Sequence, residues 1–124
     1  MWIFRKGGIQ FVDRGDPAAN DSPVGGFVPD DSWHDWNLSA IVGLGRRLVL
    51  LRCQVASSGA LSIAQFQTKG NVEGYNISAV FTTTTSNDHT DKWVWTDASG
   101  VIQYMIGAPP MSPVVSVVVA GWFQ

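Results

Sequence analysis

Apolar and polar positions alternate with a period of two along most of this chain. In "RRLVLLRCQVA" (46–56), Val49, Leu51, Cys53 and Val55 fall on one face and Leu48, Leu50, Arg52 and Gln54 on the other, the pattern of a strand with one buried face. "ALSIAQFQT" (60–68) sets Leu61 and Ile63 against Ala64 and Phe66. "YNISAVFTTTT" (75–85) is β-branched and aromatic, with Ile77, Ala79 and Phe81 sharing a face. The valine-rich "VVSVVVAGWFQ" (114–124) predicts a strand buried on both faces or paired near a sheet centre. No window of ten or more residues carries a helical period. "LSAIVGLGRRLVLL" comes closest, and Gly43 and Gly45 interrupt it.

Turn-forming segments separate these runs: "SSG" (57–59), "KGNVEG" (69–74), a polar loop "SNDHTD" (86–91) and "APPMSP" (108–113). "KWVWTDASGVIQYMIG" (92–107) predicts a hairpin, two strands around Asp97–Gly100 with Gly100 as the left-handed residue. Six to eight short strands at this spacing predict an all-β fold: a β-sandwich, jelly-roll-like or Greek-key.

The N-terminal part has another texture. Residues 1–36 hold nine of the eighteen charged side chains, and "DRGDPAANDSPVGG" (13–26) is rich in residues that bond or punctuate their own backbone. We read residues 1–31 as an extended arm, with short strands at "MWIFR" and "GIQFVD", ahead of a sandwich domain at 32–124. The arm's aromatics Trp2, Phe11 and Phe27 need a surface to pack on, either the chain's own body or a neighbour.

Composition narrows the function classes. The 124 residues are enough for one domain with its own core. Charged residues are 15% of the chain against about 25% in an average soluble domain, and 45% are hydrophobic. Part of that apolar excess is expected to be buried against other copies. A net charge of −2 with eight Lys and Arg gives no basic face for nucleic acid. No run approaches the roughly 20 apolar residues of a membrane helix. "MWIFRKGGIQF" does not read as a secretion signal, so a cytoplasmic start at Met1 is expected. Cys53, the single cysteine, lies in an apolar run and reads as a small buried core residue.

The densest polar cluster is "DDSWHDWNLSAIVG" (30–43), where Asp30, Asp31, His34 and Asp35 are ligand types for a metal. The second histidine, His89, sits far off beside Asp88 and Asp91, so a two-histidine zinc site needs both segments to meet. No calcium-loop spacing, nucleophile elbow or glycine-rich phosphate loop is present. We therefore expect no enzyme, no metal site and no cofactor. Trp93 and Trp95 share a face. Turned inward they are core. Turned outward, with Asp88 and His89 nearby, they are a ligand or subunit surface.

"SWHDWNLSAIVGLGRRLVLLRCQV" (32–55) resembles a pattern in small β-sandwich domains of tailed-bacteriophage virion proteins. There a Trp-x-x-Trp/Leu-Asp/Asn-Leu-Ser segment leads into the sheet and a Val-Gly turn precedes an apolar strand. "WVWTDASGVIQYMIGAPPMSPVVSVVVAGWFQ" (93–124) is similar to the ending of such domains. The likeness covers residues 32–124 and carries structural motifs, not catalytic ones. It implies a virion surface component, either a capsid decoration protein or a tail or fibre domain, made in the host bacterium's cytoplasm. In that frame Trp33, Trp36 and Leu38 cover the core edge, while Asp35 and Asn37 face away or cap the turn. The implied partner is a capsid or tail protein of the same virion, reached through apolar patches and an arm that crosses a subunit boundary. A homo-oligomer is expected, and a trimer suits three-fold particle positions. Trp2, Phe11, Phe27, Trp33 and Trp36 are the expected contact residues. The alternative is a carbohydrate- or receptor-binding module of a tail fibre, with Trp93, Trp95, Asp88 and His89 meeting a host surface glycan.

Overall fold

The structure, a computed structural model, describes residues 2–3, 8–57, 61–82, 87–110 and 112–124, with the backbone alone at 2, 3 and 81. It is an all-β sandwich. The strands are β1 (Trp2–Ile3), β2 (Gln10–Asp13), β3 (His34–Asn37), β4 (Leu48–Ala56), β5 (Ser62–Thr68), β6 (Ser78–Thr82), β7 (Asn87–Trp95), β8 (Val101–Ile106) and β9 (Val114–Phe123). A single helical turn, α1 (Ser39–Val42), stops at Gly43.

One sheet has the order β1-β2-β9-β4-β7 and the other β3-β8-β5-β6, with every pairing antiparallel. From β2 to β9 the chain changes sheet at every connection except β5–β6. From β2 to β9 that is the strand order of a jelly roll, a double-sheet arrangement of eight antiparallel strands.

The alternation in β4 is observed as expected. Val49, Leu51, Cys53 and Val55 point inward and are fully buried. With Val117 and Val119 of β9 they meet Ala64, Phe66, Ile102, Tyr104 and Ile106 of the opposite sheet. Burying a side chain such as Leu51 or Phe66 contributes about 1.5–3 kcal/mol.

Two expectations are corrected. Residues 92–107 do turn at Asp97–Gly100, where Asp97 Oδ1 accepts from the Ser99 and Val101 amides and Gly100 takes φ +78°. Yet β7 and β8 do not pair: they belong to opposite sheets, so the turn is an arch and not a hairpin. A Cβ at Gly100 would collide with the Gly43 carbonyl and Ser39, which shows how tightly α1 packs on this arch. The loop expected at 86–91 is a strand from Asn87 onward, pulled into the sheet by its pairing with β4 from Ala56 to Leu48.

The arm was expected to pack on the chain's own body or on a neighbour, and between Gln10 and Asp31 it lies on the body. Residue β2 pairings end at Asp13, and the exposed edge of β9 beyond it is covered by the next segment. The Arg14 amide donates to the Ala120 carbonyl, and the Asp21 amide donates to the Val117 carbonyl. Asp21 Oδ2 accepts from the Val119 amide (2.8 Å) and from Arg14 Nη1 (2.6 Å). The segment then crosses to the other sheet, where Phe27 packs edge-on against Trp36 and Tyr104 (centroids 5.3 and 4.8 Å). Asp13, Asp21, Asp30 and Asp31 of the arm all have partners within this fold, so it closes one side of the sandwich.

Candidate functional site

The outer face of the first sheet gathers the exposed aromatics. Trp93 and Trp95 of β7 point outward and are 44% and 46% exposed. Across the sheet, Trp95 is in register with Leu48 and Phe123, and Trp93 with Leu50 and Gly121. Phe11 of β2 is opposite Phe123. Strands β7 and β2 are three strand spacings apart, about 14 Å, yet the Trp93 and Phe11 rings approach to 6.4 Å between centroids. Gly121 makes this possible. It leaves the row without a side chain, and Phe11 leans into the space, where a Cβ would overlap its ring.

A β-bulge sets this up. The register slips between Leu50 and Leu51, so Ala120 is an extra residue on β9. Val117 and Val119 point inward. After the bulge the alternation inverts, so Gly121 and Phe123 face outward while Trp122 packs toward the core. Phe11 meets Phe123 edge-on (5.0 Å, 60°), and Trp93 stacks on Phe123 (5.8 Å, 27°). The Arg46 guanidinium lies over the Trp95 ring at 5.5 Å, within cation–π range. The result is a continuous apolar patch of Phe11, Leu48, Leu50, Trp93, Trp95 and Phe123.

The same face turns polar toward the far end of the strands. Arg52 pairs with Asp91 (3.2 Å). Beyond them a groove of about 310 Å³ runs between the sheet and the Pro17–Asn20 segment, with Arg52, Gln54, His89 and Ser116 among its lining. His89 and Asp91 also share a shallow hollow of about 390 Å³ with Arg52 and Thr90.

The cluster at 30–35 does not converge on one point. Asp30 accepts from His34 Nε2 (2.9 Å), and this hydrogen bond holds its carboxyl below the ordinary value. Asp31 accepts from the Ala108 amide (3.1 Å). Asp35 faces outward to Lys69 (2.7 Å) and Gln103 (3.1 Å), which lower its carboxyl in that order. His34 stacks on Tyr104, on the opposite sheet from His89, so the two histidines do not share a site. Asn37 caps the turn by accepting from the Ser39 amide (2.8 Å). Among the described residues no group of three metal-ligating side chains is close enough to hold an ion.

Of the expected contact residues, Phe11 is in the patch, Trp33 is half-buried ahead of β3, and Trp36 is buried in the chain's own core beside Phe66. Trp36, expected to seat the arm or a subunit, is where Phe27 of the arm packs (centroids 5.3 Å). Phe27 likewise serves this core. Trp2 is opposite Phe11 in register, and its side chain lies outside the described residues. Of the expected ligand residues, Trp93 and Trp95 are together. His89 is on the same face but two rows away, and Asp88 has the opposite parity, level with inward-facing Val55. Leu48, Leu50 and Phe123 were missed. Nothing local marks the bulge that turns Phe123 outward.

Cys53 is 1% exposed, and burial, with Asp91 nearby, pushes its thiol up to about 12. Comparison with protein-family models gives no match for this chain, and neither the curated proteins nor the solved structures give one.

Proposed function

We propose that this chain is a non-enzymatic structural protein of a bacteriophage virion, held on the particle exterior by burial of its outer aromatic face. The observation that carries the reading is the patch itself: two half-exposed indoles joined to Phe11, Phe123, Leu48 and Leu50 on the outer face of one sheet. A contiguous apolar surface of this kind is costly in water and is relieved by a partner. Trp and Arg are the side chains that anchor protein interfaces best, and Arg46 is already stacked on Trp95. The virion assignment comes from the sequence resemblance. The arm's part in it is to deliver Phe11 to the patch. On a lattice, many weak copies acting together give firm attachment.

The second reading is a glycan-binding module. The fold does not separate the two, since jelly rolls serve both capsids and lectins. Ring geometry favours protein packing. One face of Trp93 is shared with Phe123 and one of Trp95 with Arg46, partners that a protein interface also uses.

The test is co-sedimentation of the purified chain with particles of the same virus, using Trp93→Ser/Trp95→Ser as the comparison. Retention of the native protein and loss of the variant is the expected result. Binding to a glycan array, with glycan shielding Trp93 from acrylamide, would replace the first reading by the second. Absence of binding to particles would overturn it.

A further inference from the structure

Among the described residues, strand β7 ends its sheet and pairs with β4 on one side only. Ser78 Oγ donates to the Trp93 carbonyl (3.2 Å) from outside the sheet, so that carbonyl points to the free edge. His89 and Asp91 have the same parity, and their backbone N–H and C=O groups therefore point there too. No described residue outside the sheet bonds those backbone groups. The edge is nine residues long and contains no proline. Such an edge is a ready template for another strand unless something blocks it.

Charged side chains are the usual block, and β7 has several. Their order is not a block, however. Read from Asp88, the strand is Asp-His-Thr-Asp-Lys. Laid antiparallel on itself about Thr90, each member meets a complement: Asp88 meets Lys92, His89 meets Asp91, and Thr90 meets Thr90. Centring the pair on Asp91 or on Lys92 instead puts like charges opposite each other. Asp88 and Lys92 are half-buried on the parity of inward-facing Val55 and Leu51, His89 and Asp91 face outward with Asp91 paired to Arg52, and Asp88, His89 and Lys92 form no ion pair among the described residues.

We propose that β7 is a homodimer edge, at which two copies of this chain join antiparallel about Thr90. His89 and Asp91 then form the closely hydrogen-bonded backbone pairs, and the two sheets become one continuous sheet of twice the width. The two-fold axis stands perpendicular to that sheet. Both aromatic faces therefore look the same way and form one doubled docking surface. This pairing gives a dimer and not the trimer expected from particle symmetry. It does not rest on the docking reading, because the edge and the face are different surfaces.

Sedimentation equilibrium of the full chain at low salt tests it. The native protein is expected to be a dimer. Lys92→Asp sets Asp opposite Asp88 twice and weakens the dimer by about tenfold or more. Asp88→Lys/Lys92→Asp restores complementarity and the dimer. Amide exchange on the native protein reads the same edge without substitution: the His89 and Asp91 amides slow as concentration rises. A native monomer, an unchanged Lys92→Asp dimer, a double variant as weak as the single, or concentration-independent exchange would each overturn the proposal. So would a dimer that Trp93→Ser/Trp95→Ser abolishes and Lys92→Asp leaves intact.

Discussion

The Phe11 ring rests against the backbone of Gly121, in the volume a Cβ would fill. The contact ties the N-terminal segment to the last strand and brings Phe11 within reach of Trp93. Gly121→Ala forces the ring and the Val12 carbonyl away and is expected to cost about 1–3 kcal/mol, as overpacking does. Urea denaturation measures it. Phe11→Ala removes one of the two obstacles, so the double variant should lose less than the sum of the singles. Strict additivity would mean that the ring does not occupy that space.

Asp21 stands in for a missing strand along β9. Its side chain is 12% exposed and accepts from both the Val119 amide and Arg14. Asp21→Ala leaves that amide without its acceptor, at an expected cost of about 1–3 kcal/mol. Thermal unfolding of the variant would show an unchanged midpoint if the segment does not hold the edge.

Asp35 gives the fold an acid-side dependence. Lys69 and Gln103 stabilise its charged form and lower its carboxyl below the ordinary 3.8. A depressed carboxyl contributes stability that is fully present above 3.8 and fades as pH falls through the folded value. The difference between native protein and Asp35→Asn should therefore shrink as pH is lowered from 5 toward about 2. The effect is small, because both partners are largely exposed. A stability difference that stays constant across this range would show that the pair carries no linkage.

Cys53 should be inert in the folded state. Its thiol is buried and stays protonated up to about 12, and only the thiolate reacts. A chromogenic disulfide reagent at pH 8 is expected to modify it at the rate of unfolding, and at once in denaturant. Fast labelling of native protein would mean that β4 opens locally.

Much of the sandwich was legible because alternation is a local property. In β4, Val49, Leu51, Cys53 and Val55 on one parity imply a buried face wherever the strand sits. The cap at Asn37 and the turn at Asp97–Gly100 were legible for the same reason, since they bond within a few residues of themselves. The candidate site was half legible. Trp93 and Trp95 share a face by parity, but parity does not say which face looks out.

The sequence by itself determined that this chain forms strands and, in an unbroken strand such as β4, which residues share a face. Tertiary structure decided the rest. The Asp97–Gly100 turn has the same local bonds in an arch as in a hairpin, and only packing of β7 on β4 and of β8 on β5 sends its arms to different sheets. The extra residue Ala120 inverts the alternation of β9 because its neighbour β4 has no matching insertion. That inversion carries Phe123 out to meet Phe11 and Trp93, residues 30 and 112 positions away in sequence. A patch assembled from four strands so far apart in sequence has no local signature, because its energy lies in contacts that exist only once the sheet has formed.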